Sequence, residues 1–316
     1  MKKIRAGVIG VGHLGRFHAQ KYAMLSDVEL VGVADASIDR AALVAAEVRT
    51  RPFSSYKELF GLVDVVSIAT PTAFHAPIGL EFLSRGIDAL IEKPLAMTSV
   101  DALRLTETAA RTGAVLQVGH LERFNPAVMA LRAMKLAPNF IECSRLAPFP
   151  NRSTDIDVVF DMMIHDIDII LSLADSPVEA VSAAGASTVT DKTDAASALI
   201  TFKSGFGASI TASRVSKERL RKLTLYHSRG FVTADYANQS VIVSCASRRP
   251  GAGFASFTED EVPLEKKDTL LEEIKAFLKC SGEKTAPLVS GVEGKAALEV
   301  AEMIQASIAR SSIGRS

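Results

Sequence analysis

The sequence is poor in cysteine, has no net charge and lacks a long apolar run, and each shortage excludes something. Its 316 residues contain three cysteines, Cys143, Cys245 and Cys280, far apart and without a C-x-x-C pair. That pattern argues against a disulfide framework or zinc site and fits a reducing cytoplasm. The histidines agree, since no pair combines zinc-ligand spacing with a supporting acid, so no metal is expected. Lys+Arg and Asp+Glu both number 36, giving 36 − 36 = 0. A nucleic-acid or anionic membrane partner held by bulk charge is therefore not expected. No stretch approaches the roughly 20 apolar residues of a membrane span. The basic opening Met1-Lys2-Lys3-Ile4-Arg5 leads into Gly10, Gly12, Gly15 and Arg16 rather than a signal-peptide core. The expectation is a soluble cytoplasmic protein, long enough for two domains.

The first part of the chain alternates strand and helix. Ile4–Ile9 is a short apolar run, followed at once by Gly10-x-Gly12-x-x-Gly15 and a helical segment to about Leu25. A second buried strand, Val28–Ala34, ends at Asp35, about 20 residues beyond the last glycine. Strand, glycine loop, helix and acid in this order form the context of a dinucleotide-binding fingerprint. The first glycine permits the tight turn, the second lets backbone approach a pyrophosphate, and the third allows close helix–strand packing. His13 and Leu14 lie within the same loop. Asp35 at the end of the second strand suits the adenosine ribose hydroxyls and repels a 2′-phosphate, favouring NAD over NADP. Arg40, the one basic residue nearby, sits well into the next helix.

Helices are expected over 39–47, 55–60, 76–85 and from Thr98–Ser99 to Gly113, with strands at 64–69, 88–91 and 114–118. Repeated units of this kind predict a parallel, doubly wound sheet whose ligands collect at the carboxyl ends of the strands. Thr70, Pro71, His75, Glu92 and Lys93 all fall on that edge. A lysine just past a buried strand and fixed by Pro94 suits proton transfer beside a nicotinamide. An ion pair between Lys93 and Glu92 is an equally good reading of the residues alone.

Within 154–173 a helix with apolar residues nearly all round carries Asp157, Asp161, His165 and Asp168 at spacings of four, four and three. On an α-helix that is one polar stripe. A core histidine satisfied by a neighbouring Asp explains the stripe in isolation; a cavity wall explains it if the rest of the chain supplies a cofactor. Beyond it, β-rich runs at 178–186, 195–202, 207–215, 222–226, 231–236 and 240–245, separated by short turns, predict an open, mainly antiparallel sheet in an α+β domain. Arg248–Gly253 reads as a basic, glycine-rich loop.

Gly10-x-Gly12-x-x-Gly15, Glu92-Lys93-Pro94 and Asp161-x-x-x-His165, in this order, resemble the Gfo/Idh/MocA oxidoreductase family essentially end to end. The resemblance implies an N-terminal Rossmann domain over 1–121 and a substrate and oligomerisation domain over 122–289. It also implies a C-terminal helix at about 290–312 packing back on the first domain. It implies hydride transfer between a sugar or cyclitol hydroxyl and NAD (NADP less so), with Lys93, Asp161 and His165 at the reacting carbon. The family's Thr-Pro-Asn is Thr70-Pro71-Thr72 here, so a side-chain amide contact at Thr72 is not expected. The segments from Gly119 to Pro126 and from Arg152 onward resemble a branch that oxidises the 3-hydroxyl of UDP-N-acetylglucosamine. A partner aminotransferase then converts the 3-keto product into a diamino sugar of lipid A. Arg123, Asn125 and Arg152 are the substrate contacts this implies, with Arg145 as a further cation for a diphosphate. Family members associate through the second-domain sheet, implying a homodimer or homotetramer. An inositol-type dehydrogenase and a non-catalytic dinucleotide-binding regulator are the alternatives.

Overall fold

A strand covered on both faces needs an apolar residue at every position, and Ala6, Val8, Val65, Val66, Ile68 and Leu90 meet that demand with no solvent exposure. They belong to a computed structural model that describes residues 3–149, 156–247 and 256–313. The described residues divide into two compact units, residues 1–121 with 268–296, and residues 122–267 with 297–316. In the first, β1 (Ile4–Ile9), α1 (His13–Met24), β2 (Val28–Ala34), α2 (Ile38–Val48) and β3 (Arg51–Phe53) lead into β4 (Val65–Ile68), α3 (His75–Leu83), β5 (Asp88–Glu92), α4 (Ser99–Thr112) and β6 (Leu116–Gly119). The strands form a six-stranded sheet of order β3-β2-β1-β4-β5-β6, and every pairing is parallel. The doubly wound fold class read from the sequence is the one observed. Strand β3 was not expected; its proline is tolerated because β3 is an edge, where a missing N–H costs no ladder bond.

Local chemistry sets the helix ends. Thr98 caps α4 by accepting the Asp101 N–H, and Gly113 closes it at φ +72°. At the other edge of the glycine loop, a Cβ on Gly15 would lie 1.8 Å from the Gly10 carbonyl oxygen. Only glycine lets α1 come this close to β1.

The second unit begins with α5 (Pro126–Ala133), whose cap Asn125 accepts the Ala127 N–H before a proline at the first helical position. Then come β7 (Phe140–Leu146), a π-helical turn (Val159–Met163) and α6 (Ile164–Leu173). The remaining strands are β8 (Val178–Ala186), β9 (Ala195–Phe202), β10 (Gly207–Ser213), β11 (Leu220–His227), β12 (Gly230–Asp235), β13 (Ser240–Ser247) and β14 (Ser256–Glu261). They make an eight-stranded sheet of order β14-β13-β12-β11-β7-β10-β9-β8, antiparallel except where β10 meets β7. Burial alternates along β9 and β10, so Ala196, Ala198, Ile200, Ala208, Ile210 and Ala212 face the core. Helix α6 packs on β7 and β10.

The C-terminal segments divide differently from the expected boundaries. It is α7 (Thr269–Glu283), placed by the sequence reading in the second domain, that builds Ile274, Phe277 and Leu278 into the core of the first unit with Ala19, Tyr22 and Val33. Lys284, just past α7, meets Asp88 at 2.8 Å. Helix α8 (Gly291–Ile313) starts with the first unit, where Gly294 lies against Val118. From Ala297 onward it belongs to the second unit: Ser307 Oγ accepts the Ala183 N–H at 2.9 Å, and Gln305 bonds Asp157. The expectation that 290–312 as a whole packs on the first domain is thus corrected. Arg152 and the 248–253 loop lie outside the described residues. Among those described, no helix is long and apolar enough to cross a membrane.

One buried pair anchors the segment entering the π-turn. Arg214 and Asp194 are both fully buried, 2.9 Å apart, and Arg214 Nη1 donates to the Ile156 carbonyl at 2.7 Å. Burial opposes the Asp194 charge, but the N–H groups of Thr190, Val189 and Thr188 outweigh it and hold its pKa well below the ordinary value. Its contribution to stability is therefore complete above the unfolded-state carboxylate pKa and is lost only in strong acid. Arg214→Met leaves that carboxylate buried without its cation, and is expected to lower unfolding free energy by about 3–5 kcal/mol in urea titration at neutral pH.

Candidate active site

The carboxyl edge of the first sheet collects the glycine loop, Asp35 and the Thr70 loop around a cavity of about 420 Å³. Gly10, Asp35, Arg40, Thr70, Pro71, Phe74 and Ile78 are in its lining, a size and character suited to a nucleoside. Gly12 caps α1, and a Cβ there would meet nothing within 4 Å, so its bareness serves approach from outside rather than internal packing. His13 and Leu14 follow it on the exposed face of the first turn, at the positive end of the helix dipole. Thr70 Oγ1 is buried without a hydrogen-bond partner among the described residues. Together these features fit a dinucleotide.

Asp35 is more engaged than the sequence suggested. Its carboxylate accepts the Val11 and Ser37 N–H groups, each at 2.9 Å. Arg40, from one turn into α2, brings its guanidinium within 3.5 Å of both oxygens. Each oxygen keeps lone pairs for ribose hydroxyls, while the nearby cation softens the repulsion a 2′-phosphate would feel.

Glu92 and His75, both expected among cofactor contacts, are buried frame. Glu92 Oε1 lies 2.9 Å from His18 Nε2, and its Oε2 accepts the Lys93 N–H at 3.2 Å. His75 sets Nδ1 and Nε2 each 2.8 Å from a carbonyl, those of Pro94 and Thr70. Burial lowers its pKa more than the two carbonyls and Glu92 raise it, so the ring stays neutral and donates to one carbonyl at a time. His75 therefore ties the Thr70 loop to the turn after Lys93. Lys93 itself is half-buried at the end of β5.

In the second unit the stripe is broken. The Val159–Met163 turn is π-helical, which adds one residue to the turn. It rotates later residues by about 100° relative to a continuous α-helix. Asp157 is spent on the segment's start, accepting the N–H groups of Val159 and Phe160 at 2.8 and 3.2 Å. Asp168 pairs with Arg123 at 3.1 Å, both buried. Half-buried Asp161 lies in the π-turn itself, and buried His165 in the first turn of α6.

The arginines expected at a diphosphate are engaged internally. Arg123 holds Asp168, while Arg145 holds Asp166 through Nε and Nη2 at 2.7 and 3.2 Å and Glu122 through Nη1 at 3.1 Å. Asn125 uses its oxygen as a helix cap and its amide nitrogen on Glu122 and the Tyr236 carbonyl. Arg145 thus spends Nε, Nη1 and Nη2 and Asn125 both amide atoms internally, whereas the buried Nε of Arg123 has no hydrogen-bond partner among the described residues. Asp166, His18 and Arg214 are the framework residues that sequence reasoning did not single out. Only the apolar neighbours of Asp166 hinted that its charge would need a buried partner. The ion-pair role of Arg123 is separable by experiment from phosphate binding. Arg123→Met should cost about 3–5 kcal/mol of unfolding free energy by removing a buried cation from the Asp168 carboxylate. A raised KM for a sugar nucleotide at unchanged Tm would instead identify a phosphate contact.

Two family models match the chain. Residues 4–120 match the oxidoreductase family with an NAD-binding Rossmann fold, and residues 139–233 match the GFO/IDH/MocA C-terminal domain. A UDP-N-acetylglucosamine 3-dehydrogenase of Acidithiobacillus ferrooxidans is 40% identical over 309 residues, 98% of each chain. A solved structure of that enzyme superposes with a TM-score of 0.91 at 39% identity, again covering 98% of both chains. The myo-inositol 2-dehydrogenase of Thermotoga maritima is 27% identical over 93% of each chain. Levoglucosan dehydrogenase in complex with NADH and levoglucosan shares the fold at a TM-score of 0.86 and 19% identity, over 98% of both chains. With its fold, its cofactor-side geometry and these relatives in agreement, the chain belongs to the GFO/IDH/MocA family and is an oxidoreductase of CH–OH groups.

Proposed function

We propose that the protein oxidises the 3-hydroxyl of UDP-N-acetylglucosamine with NAD, giving a 3-keto sugar nucleotide. The observation that carries this reading is the end-to-end match, 40% identical over 98% of both chains, to an enzyme of that name. Gly10, Gly12, His13, Leu14 and Gly15 would hold the pyrophosphate, Asp35 the adenosine ribose, and Thr70 and Pro71 the neighbouring wall. Bound NAD supplies the hydride acceptor. Oxidation of a carbinol also requires the hydroxyl proton to leave, and Lys93 or His165 takes it, with Asp161 orienting its partner. Arg152 remains a candidate contact for the diphosphate. The protein would work in the cytoplasm, upstream of an aminotransferase that consumes the ketone. A homodimer or homotetramer would form through the second sheet, where Tyr226, Ile242 and Phe257 are exposed.

The Thermotoga relative favours a second reading, oxidation of a free cyclitol. A single-turnover assay separates the two: concentrated enzyme with NAD, nicotinamide absorbance followed on adding UDP-N-acetylglucosamine, UDP-glucose or myo-inositol. A rise with UDP-N-acetylglucosamine alone is the expected result, and a rise with myo-inositol alone would replace the substrate.

Two variants test the residue roles. Lys93→Met should reduce turnover by roughly 10²–10⁴-fold, the usual worth of a general base, at nearly unchanged NAD affinity; a parallel loss of NAD affinity would make the lysine structural. Asp35→Ser, which leaves Arg40 without its carboxylate, should shift the ratio of NAD to NADP binding toward NADP. An unchanged ratio would remove Asp35 from ribose recognition.

A further inference from the structure

Two carboxylates and an imidazole meet inside the first unit, and one of the carboxylates belongs to Glu92, the residue that precedes Lys93. His18 projects from α1, with Nε2 2.9 Å from Glu92 Oε1 and Nδ1 3.1 Å from Ser67 Oγ. Ser67 in turn lies 2.9 Å from the Tyr22 hydroxyl. Glu273 arrives from α7 with no solvent exposure, and neither of its carboxylate oxygens has a hydrogen-bond partner among the described residues. One ligating atom each from His18, Glu92 and Glu273 lies within 4.8 Å of the other two.

An ionised carboxylate sealed from water without a donor is costly, and two carboxylates this close do not both stay charged beside one imidazole. Burial raises both, but they are not equivalent. For Glu92 the His18 hydrogen bond and charge, together with Lys93, outweigh burial and hold the pKa below its ordinary value. For Glu273 burial and then the Glu92 charge push in the same direction, well up. The other titratable groups acting on the cluster are Tyr22, which feels the Glu273 charge, and His75, which feels Glu92 and Lys93. A metal ion is the competing occupant of a His–Glu–Glu cluster. It fits poorly, because both His18 nitrogens already stand at hydrogen-bond distance from Ser67 and Glu92.

We infer that Glu273 is held as a neutral carboxylic acid. Together with His18 and Glu92 it forms a buried support behind Lys93, in which Glu92 carries the charge and accepts the Lys93 main-chain N–H. Glu273 is thus a positioning residue, acting through Glu92. The lysine link rests on the function proposed above; the protonation state does not.

Glutamate labelled at the side-chain carboxyl tests the protonation state in the intact protein. At pH 7 one carboxyl resonance should stand at the position of a protonated acid; its absence would overturn the inference even if no variant folds. Thermal unfolding supplies an independent reading. A folded-state pKa raised above the unfolded one means stability is complete below the unfolded pKa and falls as pH rises. Glu273→Gln has no proton to lose, so its Tm relative to wild type should climb steadily from pH 5 to pH 8. A constant difference would overturn the proposal, as would a zinc- or manganese-induced rise in Tm that Glu273→Gln abolishes. For the lysine link, Glu92→Leu removes the acceptor of the Lys93 main-chain N–H and should slow single-turnover oxidation at unchanged NAD affinity, with Glu92→Gln, which keeps an acceptor oxygen, restoring the rate. An unchanged rate in Glu92→Leu removes the link, whereas silence of the wild type toward every sugar would fault the substrate alone and leave the resonance and Tm results standing.

Discussion

Carboxylates buried on α6 dominate the second unit. Asp166 and Asp168 are at most 2% exposed on a helix with four isoleucines, and a charge there is tolerable only with a paired cation. Arg145 from β7 and Arg123 from the turn before α5 supply those cations, each within hydrogen-bond distance. Sheet, helix and entry turn are thereby locked at one register. Asp161 in the π-turn and His165 in the first turn of α6 belong to the same stretch of chain. Arg123 and Arg145, which look like phosphate ligands in the sequence, each hold a carboxylate of α6.

The first unit solves a different problem. Its parallel sheet demands apolar residues everywhere except at the carboxyl edge, and α1 must come close enough to β1 for its N-terminus to serve that edge. Gly15 permits the approach, and Gly12 keeps the surface above it bare. Beneath the same helix, His18 is matched to Glu92, so the strand end that presents Lys93 is braced from the core side. One helix thus serves both the cofactor edge and the lysine.

Family membership and these two frames point the same way. Two relatives that cover nearly the whole chain are dehydrogenases, one of a sugar nucleotide and one of a cyclitol. Arg123 and Asn125, expected at the substrate, make buried hydrogen bonds within the second unit.

Much of this was legible in the linear chain, for physical reasons. Buried parallel strands must be apolar runs, a glycine loop between strand and helix has few other uses, and Asn125-Pro126 or Thr98-Ser99 mark helix starts by local hydrogen bonding alone. The two-unit α/β architecture and the fingerprint with Asp35 followed from such local rules. What stayed hidden depends on partners distant in sequence. Glu273 reaches Glu92 across the first unit, Arg214 meets Asp194 where β10 ends and β9 begins, and α7 belongs to the unit it was not assigned to. The π-turn at Val159–Met163 was invisible too, because a spacing of four reads as α-helix unless tertiary contacts widen the turn. Residue type and order determined the fold class and the candidate chemistry. Only the tertiary structure decided which charges are buried against each other, because a charge becomes framework or remains reactive according to what the rest of the chain brings beside it.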